Sequence, residues 1–201
     1  MPRRTLAARR AHADNGAFRS GAASMKPYAV TGRALAVIAV STWLHAAHAA
    51  EYRWTDTAGA HVVTFAKTAA DDQLHLRVTA MLNGAPDWTV RDDVTDCAED
   101  KVLDVVPASI ETRELLGNGR KQFLFAYRVG CRGDISPDAV KYFLIDQRTK
   151  YVLRGEEMLT RRGVRFDGGA PPVPNADLKA APVLLRYMLQ HWRGVSVRNY
   201  D

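Results

Sequence analysis

An α+β fold, mainly antiparallel β-sheet with a C-terminal α-helix packed on it, is predicted by three features of the sequence. From Tyr52 to about Leu159, apolar residues alternate or run together over strand lengths, with Gly, Asn, Asp and Pro at the breaks. The tract Gly168-Gly169-Ala170-Pro171-Pro172-Val173-Pro174-Asn175 is too rich in turn formers for regular structure and reads as a linker. Beyond it the apolar spacing changes to a helical period.

Tyr52-Arg53-Trp54 and His61 to Phe65 flank Asp56-Thr57-Ala58-Gly59, which has the turn chemistry of a hairpin. Leu74, Leu76, Val78, Ala80 and Leu82 alternate with His75, Arg77, Thr79 and Met81, the period of a half-buried strand. Asn83-Gly84-Ala85-Pro86 turns the chain into a further strand, Trp88 to Val94. Lys101 to Ile110 is a strand with Pro107 at an edge or bulge. Lys121 to Val129, nearly continuous in apolar character at its centre, reads as a central strand. Val140 to Asp146 and Lys150 to Arg154 form a second hairpin around Gln147-Arg148-Thr149, whose second arm runs on toward Leu159. In the last segment Leu178, Leu185, Leu189 and Trp192 share one helical face, widened by Ala181, Leu184 and Met188. With Pro182 in a first turn, the helix is expected from near Ala180 to Gly194, docked through Leu185, Leu189 and Trp192. The sheet and the helix stripe each need an apolar partner, so they are expected to cover one another.

Ahead of this domain, Met25 to Ala49 carries the three parts of a secretory leader. Lys26 and Arg33 supply positive charge, Ala34 to Leu44 an apolar run, and Ala47-His48-Ala49 a small-residue cleavage site. A membrane span needs about 20 predominantly apolar residues, and this run is about half that, so cleavage is expected rather than an anchor. Residues 1–24 then read as a long n-region or, preferably, as the product of an upstream start, and 50–201 as one mature globular domain that is periplasmic or secreted. The formal charge of +6 resides in the leader region. Residues 1–49 hold seven Lys/Arg and one acid, Asp14, so 50–201 carry 21 basic and 21 acidic residues. That balance lacks the electrostatic footprint of a nucleic-acid binder.

The two cysteines, Cys97 and Cys131, both lie in the mature part. An even pair in an oxidising compartment most simply forms one disulfide. The wide spacing, with neither a C-x-x-C motif nor a histidine cluster, argues against a metal pair or a redox couple.

No phosphate loop, H-E-x-x-H pair, G-x-S-x-G elbow or S-x-x-K signature is present, so neither a catalytic constellation, a metal nor a cofactor is expected. His61, His75 and His191 are scattered, and Leu116-Gly117-Asn118-Gly119 has only Glu114 on its approach, a poor calcium loop and a good hairpin turn. The densest motif is Cys131-Arg132-Gly133-Asp134-Ile135-Ser136-Pro137. Arg132 and Asp134 either face each other as an ion pair or face a partner, and Arg154 is expected in the same patch. Arginine suits both roles, since its planar fork pairs with carboxylate or phosphate through two hydrogen bonds.

Trp88–Asp100, then Phe123 to Pro137, Lys141, and Lys150-Tyr-Val-Leu-Arg-Gly155, together resemble a family of small, poorly characterised exported proteins of Gram-negative bacteria, some of them associated with surface polysaccharide biosynthesis. The likeness covers roughly residues 88–157 and, more weakly, the Trp192 helix. It implies a Cys97–Cys131 pairing and a shared core at Arg132, Gly133, Asp134, Pro137, Tyr151, Arg154 and Gly155. Relatives often carry an Asp-rich loop where this chain reads Glu114-Leu-Leu-Gly-Asn-Gly, so a cation site is not expected there. Two functions follow as expectations. One is a binding or accessory module for an unknown envelope component, an anionic one being among the candidates. The other is an enzyme acting on an envelope glycan through two carboxylates drawn from Asp92, Asp93, Asp96, Asp134 or Glu156, about 5–10 Å apart.

Overall fold

In the computed structural model the described residues are 49–200; the segment 1–24 and the leader up to its last alanine lie outside them. The chain opens with β1 (Ala49–Asp56), β2 (Gly59–Ala70), β3 (Gln73–Leu82) and β4 (Ala85–Val94), an antiparallel meander in that order. Asn83-Gly84 joins β3 to β4 with φ of 50° and 80°, and Asp71-Asp72 joins β2 to β3 with φ of 48° and 58°. Two consecutive residues with positive φ match the right-handed twist of a tight hairpin, and Asn, Asp and Gly tolerate them best.

Next come β5 (Asp100–Arg113), β6 (Gln122–Arg132), β7 (Ala139–Asp146) and β8 (Thr149–Glu156), followed by β9 (Met158–Arg161), β10 (Val164–Gly168) and β11 (Val173–Pro174). The chain ends with α1 (Ala176–Lys179), α2 (Pro182–Ser196) and β12 (Val197–Asn199). A second sheet has the order β11-β8-β7-β6-β5, and a small third sheet the order β10-β9-β12. The register of β5 against β6 slips between Val106 and Glu111, a bulge centred on Pro107 and its neighbours.

Both faces of the five-stranded sheet are covered. One face, with Leu103, Phe123, Phe125, Tyr127, Phe143 and Ile145, packs on Val63, Phe65, Val78, Trp88 and Val90 of the first sheet. The other, with Leu124, Ala126, Tyr142, Leu144 and Leu153, meets Leu178, Leu184, Met188, Trp192 and Val195 of the helical segment. This layering explains the unbroken apolar run of β6, because a strand covered on both sides has no polar face. The result is mostly antiparallel β with a small helical part, not an even α+β mixture.

Three expectations are corrected. The second hairpin arm does not run to Leu159: β8 ends at Glu156, and the chain passes through Glu157 into another sheet, where β9 pairs in parallel with β12. The Pro/Gly-rich linker lends two residues, Val173 and Pro174, to the edge of β8. The helix starts at Pro182 and reaches Ser196, and its buried face is Leu184, Met188, Trp192 and Val195, while Leu189 is 45% exposed and Leu185 half-buried. Gly155 permits this docking, since a Cβ there would lie 2.7 Å from Trp192 Cζ2.

Cys97 and Cys131 form a disulfide with Cα atoms 5.6 Å apart. It fastens the link between the two large sheets to the end of β6. Closing a loop of this length is worth about 3–4 kcal/mol in the chain-entropy account.

Candidate functional site

Four connections meet at one end of the sandwich: Thr57-Ala58, Asn83-Gly84, the 114–121 loop and Gln147-Arg148. Thr57 N donates to Gly119 O at 3.2 Å, and Asn83 N to Ala60 O at 2.8 Å. The Asn83 side chain accepts from Ala60 N and donates to Ala58 O. Lys121 N donates to Asp56 Oδ2 at 2.9 Å. Glu114 turns inward on its own loop, accepting from Asn118 N at 2.8 Å while Gly117 and Gly119 take φ of 68° and 75°. Cross-tied turns on a rigid sandwich are a common setting for binding sites.

Between these turns lies a groove of about 380 Å³ lined by Asp56, His61, Asp87, Arg120, Lys121 and Arg148, among others. Its carboxylates are already engaged. Asp56 Oδ1 lies 3.0 Å from His61 Nε2, and Asp87 holds Arg148 Nε at 3.1 Å. Asp146 accepts from Gln122 Nε2 at 3.0 Å. Burial alone would raise the Asp56 carboxyl, but the backbone N–H groups of Lys121 and Ala58, with His61, outweigh it and hold the group below its ordinary value. The His61 ring stacks on Trp54 at 4.6 Å, and Trp54 on Phe123 at 5.1 Å, so the imidazole is clamped between an aromatic column and a carboxylate. Arg120 and Lys121 make no ion pair among the described residues, and the Arg148 side chain is 76% exposed. The groove thus carries three cations and three carboxylates, and Arg120 and Lys121 are the two cations on its wall whose side chains are not taken up by a carboxylate among the described residues.

The motif residues are placed differently. Arg132 pairs with Asp138 at 3.2 Å, not with Asp134. Asp138 also takes Arg198 at 3.1 Å, and Glu157 takes Arg198 at 2.9 Å and closely contacts Arg128. Glu157 and Asp138 are buried, so three guanidiniums surround two carboxylates in the interior. Gly130 makes room for this cluster, since a Cβ there would lie 2.2 Å from Asp138 Oδ1. Burial pushes the Glu157 carboxyl above its usual range, against the pull of Asp138 N–H, Arg198 and Arg128.

Asp134 stays exposed and accepts from Ser136. Gly133 lies against Glu99, and Pro137 packs beneath Gly168. Arg154 is separated from Arg132 by the sheet itself. Along β8 it shares the sandwich face with Val152 and is the register partner of Lys141, whereas Arg128 and Arg132 alternate to the helix face. The Arg132–Arg154 patch is thus not formed.

Each of the five carboxylates considered for catalysis has a local hydrogen-bond partner. Asp92 and Asp93, adjacent in β4, point to opposite faces. Asp92 accepts from Tyr127 Oη at 2.7 Å and contacts Lys141, while Asp93 lies 2.6 Å from His75 Nδ1. Asp96 accepts from Thr95 Oγ1, and Glu156 faces Ala170 N at 3.5 Å. Among the described residues no three His, Cys, Asp or Glu side chains are grouped to hold a metal ion, and no helix is long and apolar enough to cross a membrane.

Sequence reasoning missed Arg128, Asp138, Glu157 and Arg198, although an arginine inside the apolar run of β6 was a visible sign of a buried partner. It also missed Asp56, Arg120, Lys121 and Arg148, which only the meeting of four turns brings together. No protein-family model, curated protein or solved structure matches the chain.

Proposed function

We propose that the mature domain is a binding or accessory module of the cell envelope, periplasmic or secreted, that takes an anionic component in the turn-lined groove. The observation that carries this reading is the 380 Å³ groove on a disulfide-braced sandwich, with Arg120 and Lys121 unpaired at its wall. Arg and Lys so placed favour carboxylate or phosphate, and the cross-ties hold the groove's shape before any ligand arrives. The resemblance to exported Gram-negative proteins associated with surface polysaccharide suggests an acidic glycan as the ligand. The alternative, a glycan-acting enzyme with a carboxylate pair, has no observation in its favour.

Calorimetry with a carboxylated oligosaccharide, oligogalacturonate, tests the proposal. Arg120→Gln with Lys121→Gln should weaken binding by about tenfold or more, equivalent to about 1.4 kcal/mol, with the denaturation midpoint unchanged. Equal affinity in the variant, or no binding by the parent, would remove the groove from consideration.

A further inference from the structure

On the outer face of the four-stranded sheet, Arg77 of β3 is the direct register partner of Arg91 of β4. Both are exposed. Directly opposed side chains in an antiparallel pair have Cβ atoms about 4.5–5.5 Å apart, and like charges there destabilise the sheet. Among the described residues neither arginine makes an ion pair. Asp93, the one carboxylate among the described residues that line the same depression, lies 2.6 Å from His75 Nδ1.

The two arginines line a depression of about 300 Å³ together with Ala66, Thr68, His75 and Asp93. Ala66 is the register partner of Arg77 on the other side, so a small side chain leaves open floor beside the guanidinium. We infer that this depression is a second binding site, distinct from the turn-lined groove, for a soluble phosphomonoester held between Arg77 and Arg91. The two opposed arginines carry a charge of +2 and planar forks, against the single negative charge of Asp93 in the same lining. A phosphomonoester dianion neutralises both and accepts two hydrogen bonds from each, whereas a single carboxylate balances only one. The volume suits a compact group such as a phosphorylated sugar or glycerol. A membrane surface is disfavoured as the source of the phosphate, because none of the exposed large apolar side chains lies on β1 to β4 to enter a bilayer.

Calorimetry at low salt with glycerol 1-phosphate, on the protein as recovered from the cell, reads this site. Binding should fall at least tenfold in Arg77→Gln and in Arg91→Gln, fall less in Arg77→Lys, and persist in Arg120→Gln/Lys121→Gln, so that loss of this site and loss of the groove are told apart. The denaturation midpoint of the Gln variants should hold or rise as the like-charge contact is relieved. Absence of heat with glycerol 1-phosphate, binding that survives in both Gln variants, a fall in midpoint that accompanies lost binding, or binding only to vesicles containing phosphatidic acid would each overturn the inference.

Discussion

Glu157 has no exposed surface, and its two oxygens are divided between Arg128 and Arg198. A buried ion pair is weak evidence of net stability, but removing one member leaves an uncompensated charge in the interior. Arg198→Gln, which strips both Asp138 and Glu157 of a partner, is therefore expected to cost about 3–5 kcal/mol, read as a lower urea midpoint. Asp56 offers a complementary test, because its carboxyl is lowered where that of Glu157 is raised. A lowered carboxyl contributes stability that is present above its unfolded value of about 3.9 and is lost as pH falls through the folded value. A raised one has the opposite sign, since stability falls as pH rises from about 4.3 through the folded value. The difference in urea midpoint between the parent and Asp56→Asn should thus be clear at pH 7 and shrink below about pH 4. A difference that does not depend on pH would mean that the turn is held by the shape of the side chain and not by its charge.

At the scale of elements, the helix shows how far a pattern in the sequence reaches. Leu185, Leu189 and Trp192 form one stripe and Leu184, Met188, Trp192 and Val195 another, with Trp192 common to both. The second is buried because Gly155 opens a seat for the indole and Leu178 of α1 extends the same apolar surface, and neither fact is written within the helix itself. Trp192→Ala and Met188→Ala should cost about 3–5 and 2–5 kcal/mol respectively, while Leu189→Ala should stay within about 0.5 kcal/mol. Equal losses at 188 and 189 would place the contact face midway between the stripes. The strands were easier to read. The alternation of β3 and the Asn83-Gly84 turn are local signals, and so is the apolar run of β6, whose covering on two sides follows from having no polar face. The break at Glu157 was not legible, because its cause is a set of arginines up to about 40 residues away in sequence, on β6 and β12.

For the whole molecule, the disulfide links the compartment to the fold. Cys97 lies in the connection from β4 to β5 and Cys131 near the end of β6, so the bond fastens the chain's passage between the two large sheets to the second of them. Structural disulfides are commonest in oxidising compartments, to which the leader expected from the sequence would carry the chain. Both candidate binding regions depend on this brace in different degrees. The turn-lined groove draws on both large sheets and needs their relative position kept, while the Arg77–Arg91 depression lies within the first sheet alone. Replacing both cysteines by Ser should lower stability by about 3–4 kcal/mol and weaken oligogalacturonate binding at the groove, and should leave glycerol 1-phosphate binding at Arg77 and Arg91 close to the parent value below the melting transition. Thermal unfolding and the two titrations on one preparation would read all three quantities. An unchanged melting temperature in the oxidised parent and the double variant would show that strand pairing and the aromatic core alone hold the layers in register.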